Sequence, residues 1–152
     1  MTITGSRFGN IDYEDLDIIT FEEGLVGFPT ITRFVILCPR EDKPFRWLQS
    51  IDEPELAFLV TDPAAYVPDY APAVSLTTAR SLSLEPHTPR LLFTTVNIPR
   101  GKPEEMSINL AGPLVINAIE RKGKQIVLED GAYTTKYRVF QTADRVSDEV
   151  AA

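Results

Sequence analysis

The side chains that most often carry out chemistry, histidine and cysteine, occur once each in this sequence. His87 stands between two prolines, and Cys38 follows an apolar run. One histidine and one cysteine are too few to hold a structural zinc ion, although a pair of them could act as base and nucleophile. A lone cysteine in an apolar strand is more often a buried, unreactive residue. The sequence therefore favours a structural Cys38 over a Cys38–His87 catalytic pair.

Acidic side chains are the next candidates, and they cluster near the N-terminus. If Asp12 is position 1 of a twelve-residue calcium loop, Glu23 falls at position 12, but Leu16 and Asp17 occupy the positions that require a ligand and a glycine. The segment is predicted to be a solvated turn. The sequence has no Gly-x-Ser-x-Gly, phosphate-binding glycine loop or dinucleotide fingerprint. A catalytic carboxylate pair stays open, because a sequence does not reveal which acids meet in space.

The charge is unevenly distributed along the chain. Residues 1–69 carry thirteen acidic and five basic side chains, a net charge of −8, whereas residues 70–152 carry nine and ten, a net charge of +1. An acidic half repels phosphate, which disfavours direct binding of nucleic acid, and it attracts a basic partner. The alternative is that the acids serve only solubility.

The length and composition are those of one globular domain. The chain has 152 residues, of which 43% are hydrophobic, and contains neither repeats nor a linker. No apolar run approaches the ~20 residues of a membrane span, the N-terminus lacks a secretion signal, and one cysteine cannot form an internal disulfide. We expect a cytoplasmic protein with a domain over residues 1–140 and a frayed tail over 141–152.

Short apolar runs at roughly ten-residue spacing predict the fold class. It is mainly β: a single-domain, mostly antiparallel, barrel-like fold with one or two short helices. One helix is expected at Thr77–Leu84, and a capping-box pattern predicts a short helical turn at Asp52–Glu55. Strands are expected at Ile3–Phe8, Asp17–Phe21, Phe34–Leu37, Phe45–Ser50, Ala57–Thr61, Arg90–Ile98 and Glu105–Leu110.

The stretch Asn109–Asp130 is predicted to hold a β-hairpin. Leu114–Ile119 and Gln125–Leu128 form its apolar strands, and Arg121–Lys124 is expected to be its exposed tip, since Gly123 tolerates a positive φ. Asn117 lies among apolar residues, so a buried Asn117 amide would need hydrogen-bond partners.

The loop Glu22–Pro29 contains two glycines and a proline, which indicate a shaped and not a floppy loop. Its apolar side chains, Leu25, Val26 and Phe28, could plug the core or form an exposed contact patch. The tendency of large apolar side chains to bury favours the core.

Three segments, Ile19–Phe28, Pro44–Phe58 and Asn109–Asp130, together resemble the FliW flagellar assembly factors in order and spacing. The resemblance extends to about Phe140. It implies a compact, mostly antiparallel β protein without catalytic activity or cofactor. It also implies two protein partners, the translational repressor CsrA, which is kept from flagellin mRNA, and flagellin, which competes with CsrA for the regulator.

The acidic loops are where such a basic, RNA-binding partner would be expected to dock. The predicted contact residues are five loop acids and one apolar anchor: Glu22, Glu23, Asp52, Glu53, Glu55 and Phe28. The alternative is that Asp52 and Glu55 cap a helix while Glu22 and Glu23 are merely solvated. Two other functions stay open: a secretion chaperone that binds only flagellin, and a barrel enzyme that uses a carboxylate pair.

Overall fold

A computed structural model describes residues 1–39, 44–129 and 131–140. The predicted frayed tail, 141–152, lies outside the described residues. The strands and the α-helix of the described residues are β1 Thr2–Ser6, β2 Gly9–Asp12, β3 Ile19–Thr20, β4 Arg33–Leu37, β5 Phe45–Ser50, β6 Ala57–Thr61, α1 Leu76–Ser81, β7 Arg90–Asn97, β8 Ser107–Ile108, β9 Leu114–Asn117, β10 Lys122–Gln125 and β11 Tyr137–Arg138. Short 3-10 helices cover Asp15–Asp17, Pro63–Ala65 and Pro103–Glu105.

Within the described residues, seven strands close into a barrel in the order β9-β10-β3-β4-β5-β6-β7, with β7 pairing back onto β9. Neighbouring strands are antiparallel except β3 and β10, which are parallel and meet at one residue pair, Thr20 and Lys122. Strands β8 and β11 extend the sheet beyond β7, and β1 and β2 form a separate hairpin. The predicted mainly β, mostly antiparallel, barrel-like fold with a short helix is confirmed.

The barrel interior is filled by alternate strand residues, as the two-residue period of a strand requires. Its buried members come from β3 to β7, from β9 and from the loop after β3: Ile19, Phe21, Leu25, Phe34, Leu48, Val60, Phe93, Leu114 and Ile116. A second cluster, around Tyr70, Ile108 and Leu110, lies on the other side of the sheet. The loop through Tyr70 thus forms an outer cover, fixed where the Tyr70 hydroxyl donates to the Leu110 carbonyl over 2.5 Å.

The predicted hairpin exists, but its tip is three residues earlier than expected. Lys122, Gly123 and Lys124 pair with Asn117, Ile116 and Val115, so the turn consists of residues 118–121. Gly123 is needed as a strand residue, because a Cβ there would come within 2.5–2.9 Å of the Phe21 ring. The sequence pattern predicted that Gly123 lies in a turn, where its tolerance of a positive φ would be needed. In the barrel, glycine is needed at this strand position because it has no side chain.

Asn117 is fully buried and builds that turn, and its amide has the hydrogen-bond partners that the sequence indicated a buried Asn117 would need. Its Nδ2 donates to the carbonyls of Leu82 and Ser83 over 2.7 and 3.2 Å. Its Oδ1 accepts from the backbone N–H groups of Ile119 and Glu120 over 2.9 and 3.0 Å. Both polar atoms of the buried amide are therefore hydrogen-bonded, and these bonds connect the hairpin to the end of α1.

The helical turn predicted at Asp52–Glu55 is wrong. Strands β5 and β6 pair up to Gln49 and Ala57, so the connection between them is a short hairpin turn. The hydroxyl of Ser50 accepts from the N–H of Glu53 over 3.0 Å, and the N–H of Leu56 donates to the Glu53 carbonyl over 2.9 Å. Strand pairing on both sides overrides the local capping signal.

The predicted helix is present but shorter, at Leu76–Ser81, with the Ser75 hydroxyl accepting from the N–H of Thr78 at its start. The strand predicted at Ile3–Phe8 ends at Ser6, where the chain turns into β2. That at Glu105–Leu110 is reduced to Ser107–Ile108.

Candidate partner-binding site

The predicted contact residues lie on two loops at the same end of the barrel. Because β3, β4, β5 and β6 are successively antiparallel, the β3–β4 and β5–β6 connections emerge at one end. Strand β10 runs parallel to β3, so the chain after Gln125 emerges there too. The fold thus gathers acids that are about thirty positions apart in the sequence.

The β3–β4 loop is held in a fixed shape by its own backbone. Gly24 has a φ of +64°, and Leu25 and Phe28 exchange backbone hydrogen bonds of 3.3 and 2.7 Å. Leu25 is buried, as the core interpretation predicted, but Val26 is 68% exposed and the core interpretation is wrong for it. Phe28 is 38% exposed and packs edge-on against Phe58 of β6, with ring centroids 5.1 Å apart.

Two side-chain contacts tie this loop to β10. Lys124 Nζ lies 3.0 Å from Glu23 Oε2, and the N–H of Val26 donates to Gln125 Oε1 over 2.8 Å. Glu22 is exposed and has no ion pair within the described part of the chain. Of the two adjacent acids, Glu22 is therefore the one whose charge is not neutralised by a neighbour.

The β5–β6 loop is organised from below by a buried glutamine. Gln49 is fully buried, and its Nε2 donates to the carbonyls of Ser50, Pro54 and Leu56 over 2.9, 2.9 and 3.2 Å. One amide thus binds both ends of the loop and its proline. These bonds fix the loop backbone from which the acidic side chains project.

Asp52 forms a two-pronged ion pair with Arg33, at 2.6 Å to Nη2 and 3.1 Å to Nε. The hydrogen bond from Arg33 lowers the pKa of the Asp52 carboxyl below its usual value. Glu53 and Glu55 are exposed and have no ion pair among the described residues. Asp52 joins two loop ends, whereas Glu53 and Glu55 present their charge to solvent.

The sequence interpretation missed three supporting residues: Gln49, Arg33 and Lys124. A polar Gln49 within an aromatic-rich strand is the same signal that identified Asn117, so it could have been found. The partners of Arg33 and Lys124 lie 19 and 101 positions away, and only the barrel brings them together.

The residues considered for catalysis and metal binding do not assemble. Cys38 is exposed, contrary to the buried residue predicted, because it lies just beyond the end of β4. His87 is exposed before β7, a strand separated from β4 by β5 and β6. The acidic Asp12–Asp17 segment ends in a 3-10 helix, and no group of three potential ligands that could hold a metal occurs in the described residues. The described part of the chain also has no helix that could cross a membrane.

Comparison with known proteins identifies the family. The model of the FliW protein family matches residues 2–139. The chain belongs to the FliW family. A flagellar assembly factor FliW of Magnetococcus marinus is 46% identical over 130 residues, which is 86% of this chain and 80% of that protein. The FliW of Caldanaerobacter subterraneus is 40% identical over 142 residues, 93% of this chain and 94% of that protein.

The family assignment extends to the tertiary structure. A crystal structure of the flagellar assembly factor FliW superimposes with a TM-score of 0.84 at 33% identity, covering 93% of this chain and 98% of the other. The resemblance inferred from the three sequence segments is confirmed.

Proposed function

We propose that this chain is a non-enzymatic, cytoplasmic assembly factor that binds the translational repressor CsrA and so relieves repression of flagellin mRNA. Flagellin binds the same regulator and competes with CsrA. Secretion of flagellin then frees the regulator, which sequesters CsrA, and flagellin translation rises.

The observation that carries the proposal is the acidic end of the barrel in a member of a flagellar assembly family. A protein that binds RNA carries basic surface, and the exposed Glu22, Glu53 and Glu55 would attract it while repelling the phosphates it otherwise holds. Phe28, partly exposed on the β3–β4 loop beside Phe58 of β6, supplies an apolar anchor of the kind that dominates interface energy.

The first experiment is a calorimetric titration of this protein with CsrA of its own organism, repeated after saturation with flagellin. Tight binding that flagellin abolishes is the expected result. Binding to flagellin alone would make the protein a secretion chaperone, and binding to neither would refute the proposal.

A charge-reversal pair tests the acidic loops. We expect Glu22→Lys with Glu53→Lys to weaken CsrA binding by about tenfold or more at low salt, with a smaller effect at high salt, because exposed charges are screened. The matched control is Glu85→Lys with Glu120→Lys, which makes the same change in net charge at the other end of the barrel. Equal affinity of both double variants would show that only net charge matters and would exclude these loops as the contact.

A further inference from the structure

The barrel closes incompletely between β3 and β10. Their pairing consists of Thr20 with Lys122, and after Phe21 the chain leaves β3 for the β3–β4 loop. On the other side of this junction, which we call the seam, the chain stays paired beyond the end of β10. The N–H groups of Ile126 and Leu128 donate to the carbonyls of Pro113 and Ala111, which precede β9, over 2.8 Å each. The seam therefore has one long side and one short side.

The longer side presents unpaired backbone groups. In an extended chain successive N–H groups point to opposite sides, so Gln125 and Val127 direct theirs away from β9. Among the described residues no backbone hydrogen bond reaches the N–H of Gln125 or Val127. We call residues 125–129, on the side away from β9, the open edge. Such an edge is a template for pairing with another strand, which proteins usually cover or blunt.

A groove runs along the open edge. Its volume is about 500 Å³, with residues 124–129 on one side and, on the other, Ala73 and Ser75 before α1 and Thr78 in its first turn. Val127 is 60% exposed in it. An added strand lies ~4.8 Å from the strand it pairs with, so the groove offers an extended chain both backbone partners and an apolar contact.

The charge around the groove specifies its occupant. Exposed Glu22 and Glu23 lie near one end of residues 124–129, and exposed Glu129 is at the other. The neighbouring Lys124 is neutralised by Glu23 at 3.0 Å. These acids repel phosphate and favour lysine or arginine. The lining thus matches a peptide and not a nucleic acid.

We propose that the open edge binds an extended segment of a partner protein as an added β-strand, with an apolar side chain on Val127 and basic side chains toward Glu22 and Glu129. The inference rests on the proposed function only for the choice of proteins to test. The backbone groups and the groove define the site without it.

The test is Val127→Pro, with Val127→Thr as the matched control. Proline removes the N–H that faces the groove and leaves the bonds to the β9 side intact, and edge strands tolerate proline in that orientation. Threonine keeps the N–H and the β-branched shape. CsrA and flagellin of the same organism are titrated calorimetrically, and short overlapping peptides from both are screened for binding. We expect Val127→Pro to weaken the binding of CsrA or flagellin, and of the peptide from that partner that the wild type binds (the captured peptide), by about tenfold or more. We expect Val127→Thr to change these affinities by about twofold or less.

Several results would overturn the proposal. Unchanged affinity in Val127→Pro would refute the open edge while leaving the proposed function standing. A wild-type dimer that Val127→Pro converts to a monomer would show that a second copy covers the edge.

If Val127→Pro lowers the melting temperature, loss of binding could reflect loss of stability, so the test is made on the ligand instead. The captured peptide is methylated at alternate backbone nitrogens, which removes its own hydrogen-bond donors. Loss of binding to the wild-type protein supports strand addition, and retained binding refutes it. If the wild type binds neither protein, the proposed function fails by itself. A peptide of alternating valine and lysine then tests the open edge separately. Binding to the wild type that is lost in Val127→Pro supports the proposal, and no binding to the wild type overturns it.

Discussion

Gly123→Ala is the sharpest test of how the barrel closes. Gly123 has an ordinary strand backbone, so the substitution introduces no backbone strain. The added Cβ would lie 2.5, 2.7 and 2.9 Å from three atoms of the Phe21 ring, well inside the ~3.5–4.0 Å of carbon–carbon contact. The ring is fully buried and packs edge-on against Phe34 at 5.7 Å, which restricts its retreat.

The magnitude follows from two opposing effects. Overpacking a well-filled core costs ~1–3 kcal/mol, while replacing glycine by alanine gains ~0.4–1 kcal/mol through the unfolded chain. We therefore expect the free energy of unfolding to fall by about 1–2 kcal/mol, which lowers the melting temperature by about 2–8 °C in a domain of this size. Urea unfolding followed by fluorescence of Trp47, the single tryptophan, measures the change.

A second substitution identifies the cause. Phe21→Leu removes the ring that the new methyl group meets, so Gly123→Ala should cost less in that background, with a favourable coupling of about 1 kcal/mol. If Gly123→Ala is as stable as the wild type, or if the two changes are simply additive, steric contact with Phe21 is not what requires glycine in β10.

Three further predictions concern polar groups. Removing the buried amide with Asn117→Ala should cost about 2–4 kcal/mol in urea unfolding, and unchanged stability would contradict its role in the turn. Asp52→Asn should cost at most about 1 kcal/mol at neutral pH, since the pair with Arg33 is half-exposed. Because the folded-state pKa of Asp52 is lowered, this contribution is present above about pH 4 and lost as the pH falls through the folded-state value, so the two proteins should converge in acid. Tyr70→Phe should cost about 1–2 kcal/mol through the lost bond to the Leu110 carbonyl. Burial raises the pKa of Tyr70, so its contribution is full below about pH 10 and lost above it, and Tyr70→Phe should flatten that alkaline loss in thermal melts.

The sequence located most strands but misplaced their connections. Apolar runs such as Phe34–Leu37 and Ala57–Thr61 form strands as predicted, because side-chain burial is encoded residue by residue. Gly123 and Asp52–Glu55 were interpreted from local turn and capping signals. Each signal is worth about 1 kcal/mol, less than the pairing and packing of a whole strand, so tertiary context decided both.

The candidate site likewise has features that the sequence predicted and features that only the tertiary structure created. That Glu22, Glu53 and Glu55 would be exposed loop acids followed from composition and turn chemistry. That Glu23 is neutralised by Lys124, and Asp52 by Arg33, depends on contacts between distant strands. The contact roles proposed for these acids and for Phe28 stay predictions until partner binding is measured.

The sequence alone therefore determined the general character of the protein: a mainly β chain, acidic in its first half, with motifs specific enough to indicate the FliW family. Only the tertiary structure decided where those segments meet. Barrel closure places the β3–β4 and β5–β6 loops at one end, and it pairs β3 with β10 at a single position, which leaves the open edge. The physical reason is that burial and turn preference are local properties of residues, whereas strand register and closure depend on the packing of the whole core.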